Sequence, residues 1–169
     1  MSSPLVQLAK DTIAAYVTEG KTLASPTELT PEMIPRAGVF VSIHKGKDLR
    51  GCIGTIEPHK ASVAEEIIAN AISAATRDPR FDPITSDELQ DLNVSIDVLS
   101  APELVAGVDK LDPKKYGLIV ECGYRRGLLL PDLPGVESAQ EQVDICRAKG
   151  GIRPNEHIKL YRFEVKRYQ

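Results

Sequence analysis

The apolar positions of this chain change period several times, and each change marks an element. Leu5, Leu8, Ala9, Thr12 and Ile13 recur at helical spacing behind Ser3-Pro4, an N-cap and first-turn pair, so the chain opens on an amphipathic helix running to Gly20. From Thr22 to Gly38, prolines and hydroxyl residues predict an irregular segment with one short helical turn beginning at Thr30-Pro31-Glu32. Two apolar, β-branched runs follow, Gly38 to Ile43 and Leu49 to Ile56, around the turn Lys45-Gly46-Lys47-Asp48, and these predict an antiparallel hairpin. A pairing sum of 91 or 93 puts Val39, Val41 and Ile43 on the face that carries Arg50, Cys52, Gly54 and Ile56. Phe40, His44, Leu49 and Ile53 then occupy the other face.

Ser62-Val63-Ala64-Glu65 has the form of a capping box, and Val63, Ile67, Ala71, Ile72 and Ala75 form the core stripe of a helix that ends before Pro79. Glu65 and Glu66 read as its solvated face. Thr85 to Glu88 predicts another cap, and Val94, Ile96 and Val98 then alternate with Ser95 and Asp97 as a strand with one polar face. Leu118 to Cys122 and Arg126 to Leu130 flank Gly123-Tyr124 as a second hairpin. Ser138-Ala139-Gln140-Glu141 caps a helix ending at Gly150-Gly151, and Ile158 to Val165 closes the chain as a strand. This order predicts a two-layer α+β fold with a largely antiparallel sheet. No internal repeat or low-complexity segment is evident.

Composition narrows the picture. The 169 residues suffice for one well-buried domain, and 42% hydrophobic with 27% charged residues is ordinary for a globular chain. A formal charge of -3 argues against a partner held mainly by counterion release, and Lys114-Lys115 and Lys166-Arg167 read as solvated surface charge. No apolar run is long enough to span a bilayer, and Met1 to Tyr16 lacks a signal peptide's pattern, so a cytoplasmic address away from membranes is expected. Cys52, Cys122 and Cys146 have no metal-ligand spacing, and no metal or organic cofactor is implied.

The chemistry-bearing candidates fall in three blocks: Leu49-Arg50-Gly51-Cys52-Ile53-Gly54, then Ala75-Thr76-Arg77-Asp78-Pro79-Arg80-Phe81, then Arg125-Arg126-Gly127-Leu128-Leu129-Leu130-Pro131. A thiol between two glycines in an apolar run suggests a built site, because glycine weakens a strand unless something must approach closely. Arg50, two residues from Cys52 on the strand, is placed to stabilise a thiolate. Arg77 and Arg80 can converge on an anion, with Asp78 orienting one of them or accepting a proton. His44, His59 and His157 show no spacing to Cys52 that would complete a Cys-His relay.

In their order and over nearly the whole chain, these blocks resemble the signature of the AMMECR domain family, whose microbial members belong to AmmeMemoRadiSam systems. The resemblance implies a larger sheet-containing subdomain, likened in fold to RNA phosphate cyclase, and a smaller helical or irregular one bordering a cleft beside the LRGCIG block. It implies no established reaction, and it brings Memo-like and radical-SAM proteins into view as partners. Catalytic roles are expected for Cys52 and Asp78, and ligand contacts for Arg50, Gly51, Gly54, Arg77, Arg80 and Arg126. Three readings stay open: a small anionic or nucleotide-like ligand with Cys52 as nucleophile, an adaptor for RNA or protein, and a purely structural block.

Overall fold

The structure, a computed structural model, describes residues 3–169. They form two compact units, residues 3–99 with 166–169, and residues 100–165.

In the first unit, helix α1 (Pro4–Glu19) is capped by Ser3 and buries Leu5, Val6, Leu8, Ala9, Thr12 and Ile13, the face its periodicity predicts. The segment after it is irregular apart from a 3₁₀ turn at Pro31–Met33. Strands β1 (Val39–Lys45) and β2 (Asp48–Gly54) form the first hairpin. Helix α2 (Val63–Thr76) is capped by Ser62, a 3₁₀ turn spans Ser86–Asp91, and β3 (Leu92–Leu99) follows. After the second unit the chain returns as β8 (Val165–Tyr168), completing a sheet of order β2-β1-β3-β8. Val39, Val41 and Ile43 of β1, with Val94 and Ile96 of β3, meet the apolar stripes of α1 and α2 in one core. Both helices therefore lie on one face of this sheet.

Glu66 departs from expectation. It is 1% exposed, not solvated, and its carboxylate accepts hydrogen bonds from the Thr55 hydroxyl and the His59 and Lys60 amides. A buried carboxylate without such donors would be costly. Its position in the first turn of α2 and the returning 55–60 segment supply them, and that context is tertiary.

The second unit contains β4 (Glu103–Val105), β5 (Gly117–Cys122), β6 (Arg125–Leu129), helix α3 (Ala139–Gly150) and β7 (Lys159–Phe163), in sheet order β4-β7-β5-β6. Leu118, Val120, Leu129, Leu160, Val143 and Cys146 form its core. The sheet of the α+β fold is thus divided between the units, and the smaller unit carries strands as well as a helix. The last run, expected as one strand, breaks at Glu164 into β7 and β8, which belong to different sheets. No helix among the described residues is long and apolar enough to cross a membrane.

Candidate functional site

A bulge decides which face of the first hairpin carries the site. Lys45 pairs with Asp48 and His44 with Leu49, but beyond them Ile43 pairs with Gly51, Ser42 with Cys52, Val41 with Ile53 and Phe40 with Gly54. Arg50 is the extra residue of β2 at this shift, and one extra residue reverses the face of everything past it. The expected grouping of Cys52 with Val39, Val41 and Ile43 is therefore wrong. Cys52 shares the helix-free face with Phe40, Ser42 and His44, so His44 is on its side of the sheet.

On β3, Ser42 pairs with Ser95, Phe40 with Asp97 and His44 with Asn93. One rung across three strands thus reads Cys52, Ser42, Ser95, and its neighbour reads Gly54, Phe40, Asp97. The Cys52 sulfur and the Ser42 hydroxyl lie 3.3 Å apart and share a hydrogen bond.

The two glycines of the LRGCIG block have packing roles on opposite faces. A Cβ on Gly51 would stand 2.2 Å from the Ala74 carbonyl oxygen, so α2 crosses β2 at this residue. A Cβ on Gly54 would stand 2.2 Å from Cγ of Phe40, whose ring fills that space. On the side where each lacks a Cβ, the space is thus filled by the protein itself, which gives each glycine a packing reason. Arg50 is taken up by internal partners. It is only 17% exposed, with its guanidinium engaged by both Glu88 carboxylate oxygens and the carbonyls of Asp82 and Pro83, and in return holds Glu88 down at about 2. Bulging places Arg50 against the 82–88 segment as a tie.

Arg80 is the cation next to Cys52. The Arg77 amide closes α2 on the Ser73 carbonyl, and the chain then turns so that Asp78 reaches β2, the edge strand. The Asp78 carboxylate accepts from the Cys52 amide at 3.0 Å, from the Arg80 amide at 3.1 Å, and from Arg80 Nε and Nη2 at 3.0 and 2.8 Å. Arg80 Nη2 also donates to the Cys52 carbonyl at 3.3 Å. The pair satisfies both backbone groups of Cys52 on the sheet edge, much as another strand would.

These donors, Arg80 foremost, hold Asp78 far below the usual carboxylate range. A carboxylate so stabilised is a poor proton acceptor, and Asp78 acts as the residue that orients Arg80. Burial pushes the Cys52 thiol above its ordinary value, and the opposing effects of Ser42 and Arg80 are smaller. The expected low-pKa thiol is not what this environment makes.

Other candidates lie elsewhere. Arg77 is exposed, and its side chain has no hydrogen bond or ion pair among the described residues. Arg126 belongs to β6 of the second unit, where it faces Glu121 across the hairpin at 3.4 Å. Cys146 is buried in that unit's core, its thiol pushed up to about 12. Among the described residues no group of three or more His, Cys, Asp or Glu could hold a metal.

Asp97 and Arg167 were missed as a pair. Asp97 is buried and accepts from Arg167 Nε and Nη2 at 2.8 and 3.1 Å, so Arg167 is not merely solvated surface charge. The alternation in β3 signals a polar face, but only the fold brings the last strand beside it.

The chain as a whole is similar to known proteins. The AMMECR1 family model matches residues 6–168. This chain belongs to the AMMECR1 family. A Thermotoga maritima member is 50% identical over 98% of this chain and 97% of that protein. A Clostridium acetobutylicum relative is 46% identical over 98% of this chain but only 36% of its own length. The crystal structure of PH0010, an uncharacterized protein of Pyrococcus horikoshii, superposes with a TM-score of 0.88 at 35% identity, covering 96% of this chain and 88% of that one.

Proposed function

We propose that this AMMECR1-family chain binds a small anionic or nucleotide-like ligand on the helix-free face of the first unit's sheet, with Arg80 as the anion contact and Cys52 and Ser42 beside it. The observation that carries this reading is the state of Arg80. Its Nε and Nη2 edge is fixed by a carboxylate only 2% exposed, yet the side chain is 57% exposed and Nη1 has no partner among the described residues. A guanidinium held in place this way loses little freedom on meeting a phosphate or carboxylate. Arg77, on the same loop, is a second cation for such a ligand.

Binding is favoured over covalent catalysis. Cys52 is a half-buried thiol whose ionisation is shifted up, with no base bonded to it. Its role in this reading is a polar contact. Titration of the full chain with inorganic phosphate and with AMP, followed by amide chemical shifts, tests the proposal. Shifts centred on residues 40–42, 52 and 78–80, weakened about tenfold or more by Arg80→Ala, are expected. Absence of such shifts, or their indifference to Arg80→Ala, overturns it. An RNA or protein partner on this face would appear instead as binding that neither small probe competes. The pH profile of Cys52 alkylation decides the nucleophile question: the midpoint should lie above that of an ordinary thiol, and one below it would restore a catalytic Cys52.

A further inference from the structure

The second unit has a groove of its own, and we infer that it takes a small carboxylate with an apolar body, its anionic group held by Arg147. The sheet edge makes the opening. Strand β4 pairs with β7 from Glu103 and Arg162 to Val105 and Leu160, then leaves it by a bend at Ala106 and Gly107 into the 3₁₀ turn Val108–Lys110. Beyond that bend, Lys159 has a strand neighbour on one side only, Glu121 of β5. A groove of about 680 Å³ lies in the gap. Val105, Ile158 and Leu160 in its lining belong to the unit's core or pack against it, while Leu104 and Val108, also in the lining, are 61% and 37% exposed. Single exposed apolar side chains are ordinary, but a concave apolar surface of this size is the form a small-molecule site takes.

The polar part of the lining selects the charge. Arg147, in the last turn of α3, donates from Nη1 to the carbonyls of Arg153 and Glu156 at 2.6 and 3.1 Å, which fixes its guanidinium at the groove. It is half-buried and has no carboxylate partner among the described residues, where its Nε and Nη2 donate to nothing. That edge of a guanidinium is the one that meets a carboxylate with two parallel hydrogen bonds. Glu156 also lines the groove, but its carboxylate accepts from the Arg125 guanidinium and the Arg153 amide, so its charge is answered from within. Lys159 and His157 are exposed at the same groove, and the side chain of neither has a hydrogen bond or ion pair among the described residues. Two cations without carboxylate partners thus face one carboxylate that is already paired, and the groove favours an anion. With only three residues, β4 is too short an edge to hold a peptide strand by main-chain bonds, so the occupant is a small molecule.

Titration of the full chain with butanoate, octanoate, octanol and octylammonium, followed by amide chemical shifts, is the test. Octanoate should shift residues 104–108, 147 and 156–160. It should bind tighter than butanoate by about two- to fourfold per added methylene, with octanol about tenfold weaker and octylammonium weaker still. Arg147→Gln should bring octanoate down to the octanol value and leave octanol unchanged, and Arg147→Lys should keep part of the preference. A parallel loss of octanol would mark damage to the 153–156 turn, and the ranking of the four probes on the native chain then decides. Leu104→Ser, away from that turn, should weaken octanoate and octanol alike. Octanol binding as tightly as octanoate, octylammonium binding tighter, or an affinity indifferent to chain length overturns the inference. Arg80→Ala should leave octanoate unchanged; a loss there would move the ligand to the first unit and overturn the groove while the reading of Arg80 stands. Shifts at these residues that follow protein concentration and not octanoate would make the groove a face between copies of the chain, and overturn it too.

Discussion

The two units are built on one plan and differ where it matters. In each, a hairpin leads to a helix and then to a strand that pairs antiparallel with the hairpin's first strand, giving the local orders β2-β1-β3 and β6-β5-β7. Each hairpin turns at a glycine with positive φ, Gly46 at 64° and Gly123 at 61°. Each second strand carries an Arg-Gly pair, Arg50-Gly51 and Arg126-Gly127, whose glycine lets a helix carbonyl come close, that of Ala74 or of Cys146. Each helix is capped by a serine eleven residues beyond that glycine, Ser62 and Ser138. Matching the two glycines sets the Cys52-Ser42-Ser95 rung against Leu128-Ile119-Tyr161. The same position in the frame is polar in one unit and mostly apolar in the other. The plan makes the fold, and the additions make the candidate site: the bulge at Arg50, the Asp78–Arg80 loop and the returning strand β8.

The largest test of the shared plan is to close its helix crossings. Gly51→Ala would set a Cβ 2.2 Å from the Ala74 oxygen, and Gly127→Ala one 1.7 Å from the Cys146 oxygen. A backbone carbonyl cannot swing aside as a side chain can, so each change should cost about 3 kcal/mol or more, measured by urea unfolding. Gly54→Ala meets the Phe40 ring, which can shift, and should cost less than Gly51→Ala. Equal tolerance of Gly51→Ala and Gly46→Ala would show that the crossing is not what requires glycine.

The plan was legible in residues whose reason is local. Ser62 and Ser138 announce helices because a cap acts within one turn, and Val94, Ile96 and Val98 announce a strand by alternation. The duplicated topology was not, because the matching positions keep geometry and not identity, as Ser42 against Ile119 shows. Parity failed at the site for a single reason. The sum of 93 holds at Lys45 and His44, and the bulge past them turns it to 94 and turns Cys52 over. Arg80 was found because it lies in a block with Asp78, whereas Arg167 lies 70 residues from Asp97 and no local pattern joins them.

Acid separates the units next. Asp78 and Glu88 in the first unit, and Glu156 in the second, all have carboxyls lowered by arginine partners, Glu88 and Glu156 to about 2. A carboxylate with a lowered folded value contributes stability that is present above its unfolded pKa of about 4 and lost as pH falls through the folded value. The side chains of Asp78 and Glu88 are 2% and 13% exposed against 28% for Glu156, so the first unit should lose more between about pH 4 and pH 2, on the order of 2 kcal/mol. Asp78→Asn should flatten that acid limb, and an unchanged limb would remove Asp78 as its source.

The turns test the plan more gently. Gly46 and Gly123 have nothing within 4 Å of an added Cβ, so alanine there meets only the strain of a positive φ. Both substitutions should cost about 1 kcal/mol, and asparagine less, because its side chain tolerates the left-handed region. A large difference between Gly46→Ala and Gly123→Ala would break the equivalence of the two hairpins.

The smallest effect lies at the caps, and it sharpens the comparison because chemistry is held constant while burial varies. The Ser62 hydroxyl accepts from the Glu65 amide at 3.2 Å, and the Ser138 hydroxyl accepts from the Glu141 amide at 3.1 Å. Water can take over from a lost cap only where it has access. Ser62 is buried and Ser138 is exposed, so Ser62→Ala leaves a helix amide poorly served whereas Ser138→Ala leaves one that solvent reaches. Costs of roughly 1 kcal/mol and roughly 0.5 kcal/mol are expected in that order by chemical unfolding. Reversal of the order would mean that α3, whose core is the smaller, depends on its cap more than on its packing, and that helix stability is distributed differently in the two copies of the plan.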